Sequence, residues 1–424
     1  MTRVRFNAFQ QVMRLWDRVH PYNAGQMLRL DHPADATRWN EAWRATLKFH
    51  AIGEVAEEQA SYAQRAPSRP RDLAVIPADI AIEDWIAQQM NRLFDADDAQ
   101  PFLPFLKVEN GTSHVGIMYR HWIADSAAIR MLLREWFLRA LYPEQSRATP
   151  FEPPAGGMWH YFGPEAARWN LAEGIGALAR LRTRFSRARP VQPITGTPMN
   201  MRFSVHALPD GTADRLLAFA RPRGLKLTDL FLAATALACE MHGVNPRVPG
   251  REDLAFGTIV DMRPMSRRRI DDVFGNFLGF TTTIVRGTDL TDWPRALDSI
   301  AAQSELHRRT RAAPAGVLRL AAGLLEARFM PPDQWCLRYR RQMPMAAGIS
   351  NVNLSDSWAA RFHPAPIIDY VRISPLGPLL PLVLTPTTLA RRLHIGLSRQ
   401  VSLIDETRAG RIIGTVIHRL CRLV

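Results

Sequence analysis

Tyr119-Arg120-His121-Trp122-Ile123-Ala124-Asp125-Ser126 places a histidine four residues before an aspartate, where an apolar strand-like run gives way to a helix-like one. Upstream, Ser113-His114-Val115-Gly116-Ile117-Met118-Tyr119 reads as a strand at least half buried. Downstream, Ile129, Leu132, Leu133, Trp136 and Phe137 recur at helical spacing. A histidine at the end of a buried strand, its ring held by the following turn, is placed to act as a general base. The bare pattern carries little weight: a chain with 12 histidines shows His-x-x-x-Asp about once by accident. A second copy does occur, His206-Ala207-Leu208-Pro209-Asp210. It ends an alternating strand with Met201, Phe203 and Val205 on one face, and Asp210 or Thr212 reads as the N-cap of a helix over Ala213–Ala220. Capping accounts for that copy, so position singles out His121.

Working outward, Pro101–Val108 and Thr112–Tyr119 read as a strand pair joined across Asn110-Gly111. An amphipathic helix over Asn7–Val19, a strand over Gly25–Leu30, a helix over Asp35–Phe49 and another over Ile80–Met90 precede them. Ser61–Asp72 is polar, basic and proline-containing and reads as a loop. The motif helix ends near Tyr142-Pro143, a helix spans Pro164–Arg184, and the proline-rich stretch from Ser186 to Pro198 is the clearest linker. Two units follow, residues 1–190 with the histidine motif and residues 191–424. In the second, strands are expected at Met201–Leu208, Asp253–Asp261, Gly275–Val285, Ala346–Val352, Ile367–Ile373, Leu379–Leu384 and Leu393–Leu397. Helices are expected at Thr228–His242, Trp293–Arg309, Gly316–Arg328 and Ile404–Leu423. Helices and strands come in runs rather than strict alternation, which predicts α+β layers, not a doubly wound parallel sheet.

Size and charge bound the function. A chain of 424 residues exceeds what one core usually serves, and 47% hydrophobic with 22% charged residues describes a globular protein. No stretch approaches the roughly 18 apolar residues of a membrane span, and the first residues carry no apolar signal region. Cys239, Cys336 and Cys421 are odd in number and lack metal spacing, so they read as reduced thiols, with no metal site and the cytoplasm as the expected compartment. The net charge of +14 is carried almost wholly by arginine, including positions 180, 182, 184, 187 and 189. Without a helix-turn-helix, zinc spacing or aromatic-basic RNA motif, nucleic acid is not the expected partner. Phosphorylated or acidic partners remain, and the basic surface is compatible with peripheral contact with anionic lipid.

Three further segments complete the pattern. Phe256–Pro264 is a buried strand ending in Asp261-Met262-Arg263, Gly275-Asn276 begins eleven residues after Pro264, and Gly348-Ile349-Ser350-Asn351-Val352 ends a strand in small and polar residues. Together with His121 and Asp125, in this order, they resemble the chloramphenicol-acetyltransferase-like superfamily. Its members include condensation domains, plant BAHD acyltransferases, wax ester synthases and polyketide-associated acyltransferases. The resemblance spans nearly the whole chain. It implies two similar halves, each a mixed sheet packed with helices, with the active-site channel between them. It implies that His121 deprotonates a hydroxyl or amine acceptor that attacks an acyl thioester, carried by coenzyme A or by the phosphopantetheine of an acidic acyl carrier protein, with no bound cofactor. It further implies that Asp125 turns away from substrate to pair with Arg263. Ser126, Asn276, Ser350 and Asn351 are candidates for the channel wall. Ser126 stands where most relatives carry glycine, and Arg120 where many carry a second histidine. The plant Asp-Phe-Gly-Trp-Gly motif is absent, with Ser374-Pro375-Leu376-Gly377-Pro378 in its region, which places the chain nearer the bacterial branches. Ester formation is the expected outcome over amide formation. The alternative is a non-catalytic relative that binds an acyl carrier protein or lipid.

Overall fold

The structure, a computed structural model, describes residues 3–58, 60–94, 98–155, 158–162, 181–192, 200–362, 366–377 and 380–423. Most of the helix expected over Pro164–Arg184 and part of the linker that follows lie outside the described residues.

The hairpin forms where the sequence places it. Asn110 (φ 50°) and Gly111 (φ 74°) both take left-handed backbone, which a two-residue turn needs to match strand twist. They join Phe102–Glu109 to Thr112–Arg120 in antiparallel register. This hairpin lies within a five-stranded sheet whose order is Ile367–Ile373, Asn23–Leu30, Thr112–Arg120, Phe102–Glu109 and Ala74–Val75. Both faces are covered. Trp39, Trp43, Leu132, Trp136 and Phe137, from helices Ala36–His50 and Ser126–Leu141, pack with Leu28, Val115 and Ile117. On the other face Trp85, Ile86 and Met90 of helix Ile82–Met90 pack with Met27, Phe105 and Met118. A strand buried on both faces loses its apolar alternation, hence the nearly continuous apolar run before His121.

The second sheet runs Leu278–Val285, Leu254–Asp261, Ala347–Ile349, Leu382–Leu389, Arg392–Gln400 and Met201–Ala207, with Val352–Asn353 paired beside Leu382–Leu389. Ala347–Ile349 is parallel to both neighbours and the other pairs along this order are antiparallel. Helices Leu227–Met241, Trp293–Arg309 and Glu406–Cys421 cover it around Leu230, Phe231, Ile300 and Ile412. The α+β architecture, with one main mixed sheet and its helices in each half, is the one the sequence predicts. Its halves exchange material, however. Ile367–Ile373, from the second half of the chain, pairs antiparallel with Asn23–Leu30 in the first half's sheet. One apolar cluster, including Met27, Met118, Met201, Phe203, Val371, Ile373 and Val383, joins the two sheets.

Three local expectations are corrected. Ser61–Arg65 is a strand, not a loop; it pairs with Arg3–Arg5 and Glu54–Glu57 in a small antiparallel sheet. Its only buried positions are Tyr62 and Ala63, so long-range pairing supplies what local pattern lacks. Helix Pro332–Gln342, absent from the sequence reading, begins with proline in its first turn and buries Trp335, Cys336 and Tyr339. The helix after the second His-x-x-x-Asp copy is capped by Gly211 in left-handed backbone rather than by Asp210 or Thr212, whose hydroxyl donates to the Pro209 carbonyl. The three cysteines are free, and no helix among the described residues is long and apolar enough to cross a membrane.

Candidate functional site

His121 follows strand Thr112–Arg120 directly and precedes helix Ser126–Leu141 by five residues. Asp125 caps that helix by accepting from the Ala128 amide at 2.9 Å, a local hydrogen bond that forces the chain to turn between strand and helix. Within the turn the His121 Nδ1 lies 3.2 Å from the Ala124 carbonyl oxygen. A carbonyl can only accept, so this contact assigns the proton of the neutral ring to Nδ1 and leaves the lone pair on Nε2. Tyr22 stacks on the imidazole (centroids 5.7 Å apart, 16° between planes) and Tyr119 meets it edge-on. Burial pulls the His121 pKa below its ordinary value; the Ala124 carbonyl and the Asp125 charge oppose that shift without reversing it.

The ring lines a cavity of about 80 Å³ between the halves, shared by Trp16 and Tyr22 on one side and Gly257, Ile259, Phe280 and Ile349 on the other. Its walls are almost entirely apolar. His121 therefore borders a small, mostly apolar space, with Nδ1 held by the Ala124 carbonyl.

Asp125 is fully buried and points elsewhere. Its Oδ2 accepts from the Arg263 Nη1 at 2.6 Å and from the Phe277 amide at 2.7 Å, and its own amide donates to the Gly275 carbonyl. Arg263 also donates to Asp261 at 3.3 Å and covers the Phe277 ring. Burial works against the Arg263 charge, but Asp125 and Asp261 outweigh it and hold the guanidinium above its ordinary pKa. Asp261 is pushed up, first by burial and then by the Asp125 charge. These contacts fasten the histidine turn of the first half to the Gly275–Phe277 segment of the second. Gly275 is also packed tightly against Pro154, 2.7 Å from where a Cβ would stand.

The remaining candidates are placed differently from the expectation of a channel wall. Asn276 is buried behind the cavity wall: its Nδ2 donates to the His121 carbonyl at 3.3 Å and lies 3.7 Å from the Met13 sulfur, and its Oδ1 accepts from the Leu278 amide. An amide between two backbone segments holds the turn. Ser126 also stays out of the cavity; its hydroxyl accepts from the Gln26 amide at 3.0 Å. Gln26 in turn accepts from the Tyr370 hydroxyl. Ser350 accepts from buried Arg372, and the Asn351 amide donates to Thr228 at 3.3 Å. Gly348 and Ile349, just before them, do line the cavity. Arg120 pairs with Asp17 at 3.2 Å. His206 bonds to the Ser204 hydroxyl, away from the cavity.

Sequence reading missed Tyr22, Gln26 and Arg372. Tyr22 and Gln26 are brought to the motif by the pairing of Asn23–Leu30 with Thr112–Arg120, and no local pattern signals that register. Arg372 lies in the strand that crosses between halves, and burial, followed by the nearby Arg130 charge, pulls its pKa down to about 9.

No protein-family model and no curated protein matches the sequence. The fold is similar to solved structures over essentially the whole chain. Trichothecene 15-O-acetyltransferase from Fusarium sporotrichioides superposes with a TM-score of 0.71 at 12% identity, covering 99% of this chain and 95% of that one. The EpoB NRPS cyclization-docking bidomain from Sorangium cellulosum gives 0.70 at 12% identity, over 100% of this chain and 84% of that one. Polyketide synthase associated protein 5 from Mycobacterium tuberculosis gives 0.63 at 16% identity, over 99% and 98%.

Proposed function

We propose, for a chain that carries the chloramphenicol-acetyltransferase-like fold, that it transfers an acyl group from a thioester to a hydroxyl or amine, with His121 as general base. The observation that carries this reading is the pinned imidazole. Its Nδ1 is committed to the Ala124 carbonyl while the ring borders a cavity shared by both halves. Nε2 takes the proton from the acceptor O–H or N–H as that atom attacks the thioester carbonyl. The tetrahedral intermediate collapses by breaking the C–S bond, and the imidazolium returns its proton to the departing thiolate. A thioester is already activated, so no acyl-enzyme is required.

The thiol belongs to coenzyme A or to a carrier protein's phosphopantetheine, and the apolar walls suit an apolar acyl group. A hydroxyl acceptor is preferred; the similar Fusarium protein is by its name an O-acetyltransferase. The Ser126 hydroxyl, held by Gln26 outside the cavity, leaves the space beside His121 free and supports catalysis. The small size of that space, about 80 Å³, favours the second reading, a non-catalytic protein that binds a carrier protein or lipid.

Intact-mass and thiol-release assays over a panel of acyl-coenzyme A and acyl-carrier donors, with hydroxyl and amine acceptors, separate the two. Wild type is expected to turn over at least one pair, and His121→Ala to lose about 10²–10⁴-fold in rate with an unchanged melting temperature. Full turnover in folded His121→Ala protein would sink the base assignment. Tight carrier binding with no turnover on any pair would install the second reading.

A further inference from the structure

Helices Ala8–Val19 and Ala312–Ala327 help to wall the His121 cavity, with Phe9, Met13 and Trp16 from the first and Leu320 from the second. The helical period turns Ala8, Leu15 and Arg18 to the opposite side of the first helix. There they line an outer groove of about 370 Å³ together with Ala321 and Leu324 of the second. Arg14, Arg18 and Arg328 share its wall, and no acid among the described residues does. Arg14 is paired with Glu57 at 2.6 Å. Arg18 and Arg328 are exposed, and neither has an ion-pair partner among the described residues.

Apolar side chains stand out beside these charges. Leu325 is 58% exposed, and Phe329, in the link to helix Pro332–Gln342, is 88% exposed. A single apolar residue on a surface needs no account, but an aromatic ring and a leucine four residues before it, next to a basic groove, mark a contact face. Water is a poor environment for both side chains, and burial against a partner would recover that free energy. Glu326 does not cancel the charge of Arg328, because it is held by Arg338 at 3.2 Å.

We propose that this face, with Arg18, Arg328, Leu325 and Phe329 around the groove, docks on a bilayer surface that contains anionic lipid. An aromatic ring flanked by arginines suits such a surface: the ring enters the acyl boundary and the guanidiniums stay among the headgroup phosphates. The net charge of +14 draws the whole chain the same way. A second copy fits the face less well. A two-fold contact sets the same patch against itself, so Arg18 and Arg328 would meet arginines. Docking holds the His121 cavity about 10 Å from lipid, the width of one helix. On the acyl-transfer reading, an acyl group or acceptor dissolved in the bilayer then has a short path to the site; the docking itself does not rest on that reading.

Flotation of the full chain with equimolar phosphatidylcholine–phosphatidylserine vesicles, and with pure phosphatidylcholine vesicles, tests the face without turnover. Binding to the mixed vesicles is expected to be at least about 10-fold tighter and to weaken as salt is added. Arg18→Glu combined with Arg328→Glu should lower it by at least about 10-fold, and Phe329→Ser by about 10-fold. All three positions are exposed, so melting temperatures should not move. Phe329→Trp should keep the binding. Arg223→Glu combined with Arg391→Glu changes the net charge equally, but beside helix Thr212–Ala220, and should leave binding within about twofold. Equal binding to the two vesicles, or an equal loss in that control pair, overturns the proposal, because no particular face would then be needed. Absence of vesicle binding overturns it too. A dimer dissolved by Phe329→Ser would then assign the face to a second copy, and capture of an acidic carrier protein, lost in the Arg18 and Arg328 double variant, would assign it to a protein partner. Vesicle binding by a catalytically inert chain would count against the acyl-transfer reading alone.

Discussion

Three neighbours define the surroundings of the His121 ring: the Ala124 carbonyl on Nδ1, the Tyr22 ring on its face, and the apolar cavity it borders. Burial disfavours the imidazolium, so its pKa falls below the ordinary 6.5. A base must be neutral to act, and a lowered pKa keeps it neutral into more acidic solution. The acid limb of kcat/KM is therefore expected to inflect below pH 6.5 and to vanish with His121→Ala; an inflection above that value would mean another group titrates. Asp125 answers a different test. Its carboxylate compensates Arg263 inside the protein, and Asp125→Ala would leave that guanidinium only the longer contact to the more exposed Asp261, at a cost of up to about 3–5 kcal/mol. Chemical denaturation should register the loss alongside a fall in activity, whereas a variant as stable as wild type would refute the pairing as a structural lock.

The elements around the site are shaped to leave room. Strand Leu254–Asp261 contributes Gly257 and strand Ala347–Ile349 contributes Gly348, and both border the His121 cavity. A Cβ at Gly257 would sit 3.1 Å from the Met345 sulfur, a flexible side chain that can yield, so a larger residue is tolerated by the strand but enters the cavity. Gly257→Leu is expected to keep the fold and to cut turnover about 10²-fold, the cost of displacing a reacting group by about an ångström. Circular dichroism and initial rates check it; full activity in the leucine variant would place the substrate path elsewhere. The turn that carries His121 is likewise an element-level device. One end is fixed by helix capping and the other by the Asn276 amide on the His121 carbonyl.

At the scale of the molecule, the strand exchange decides what folds alone. The sheet of residues 1–190 takes Ile367–Ile373 as its outer strand, beside Asn23–Leu30. Without it the Asn23–Leu30 edge is unpaired, and Met27 and Met118 lose Val371 and Ile373 from their cluster. An apolar open edge promotes association. A fragment of residues 1–190 is expected to aggregate or to lack fixed tertiary structure, read by near-ultraviolet circular dichroism and size-exclusion chromatography. A monomeric fragment with native-like aromatic signals would show that the first half is self-sufficient.

The sequence alone determined what depends on neighbours a few residues apart. The Asn110-Gly111 hairpin, the strand leading to His121, the helix after it and the apolar helix near Leu230 were legible because turn geometry and periodicity are local. The Asp125–Arg263 pair was legible too, though only through the resemblance that ordered the motifs, since 138 residues separate its partners. Tertiary structure decided the rest. It turned Ser126 toward Gln26 and Asn276 toward the His121 backbone, made a strand of Ser61–Arg65 by pairing it with Arg3–Arg5, and gathered arginines from two chain segments around one outer groove. A polar side chain takes whichever partner the fold brings within hydrogen-bond reach, and a strand takes whichever edge is open. Neither choice is written in the residues beside it.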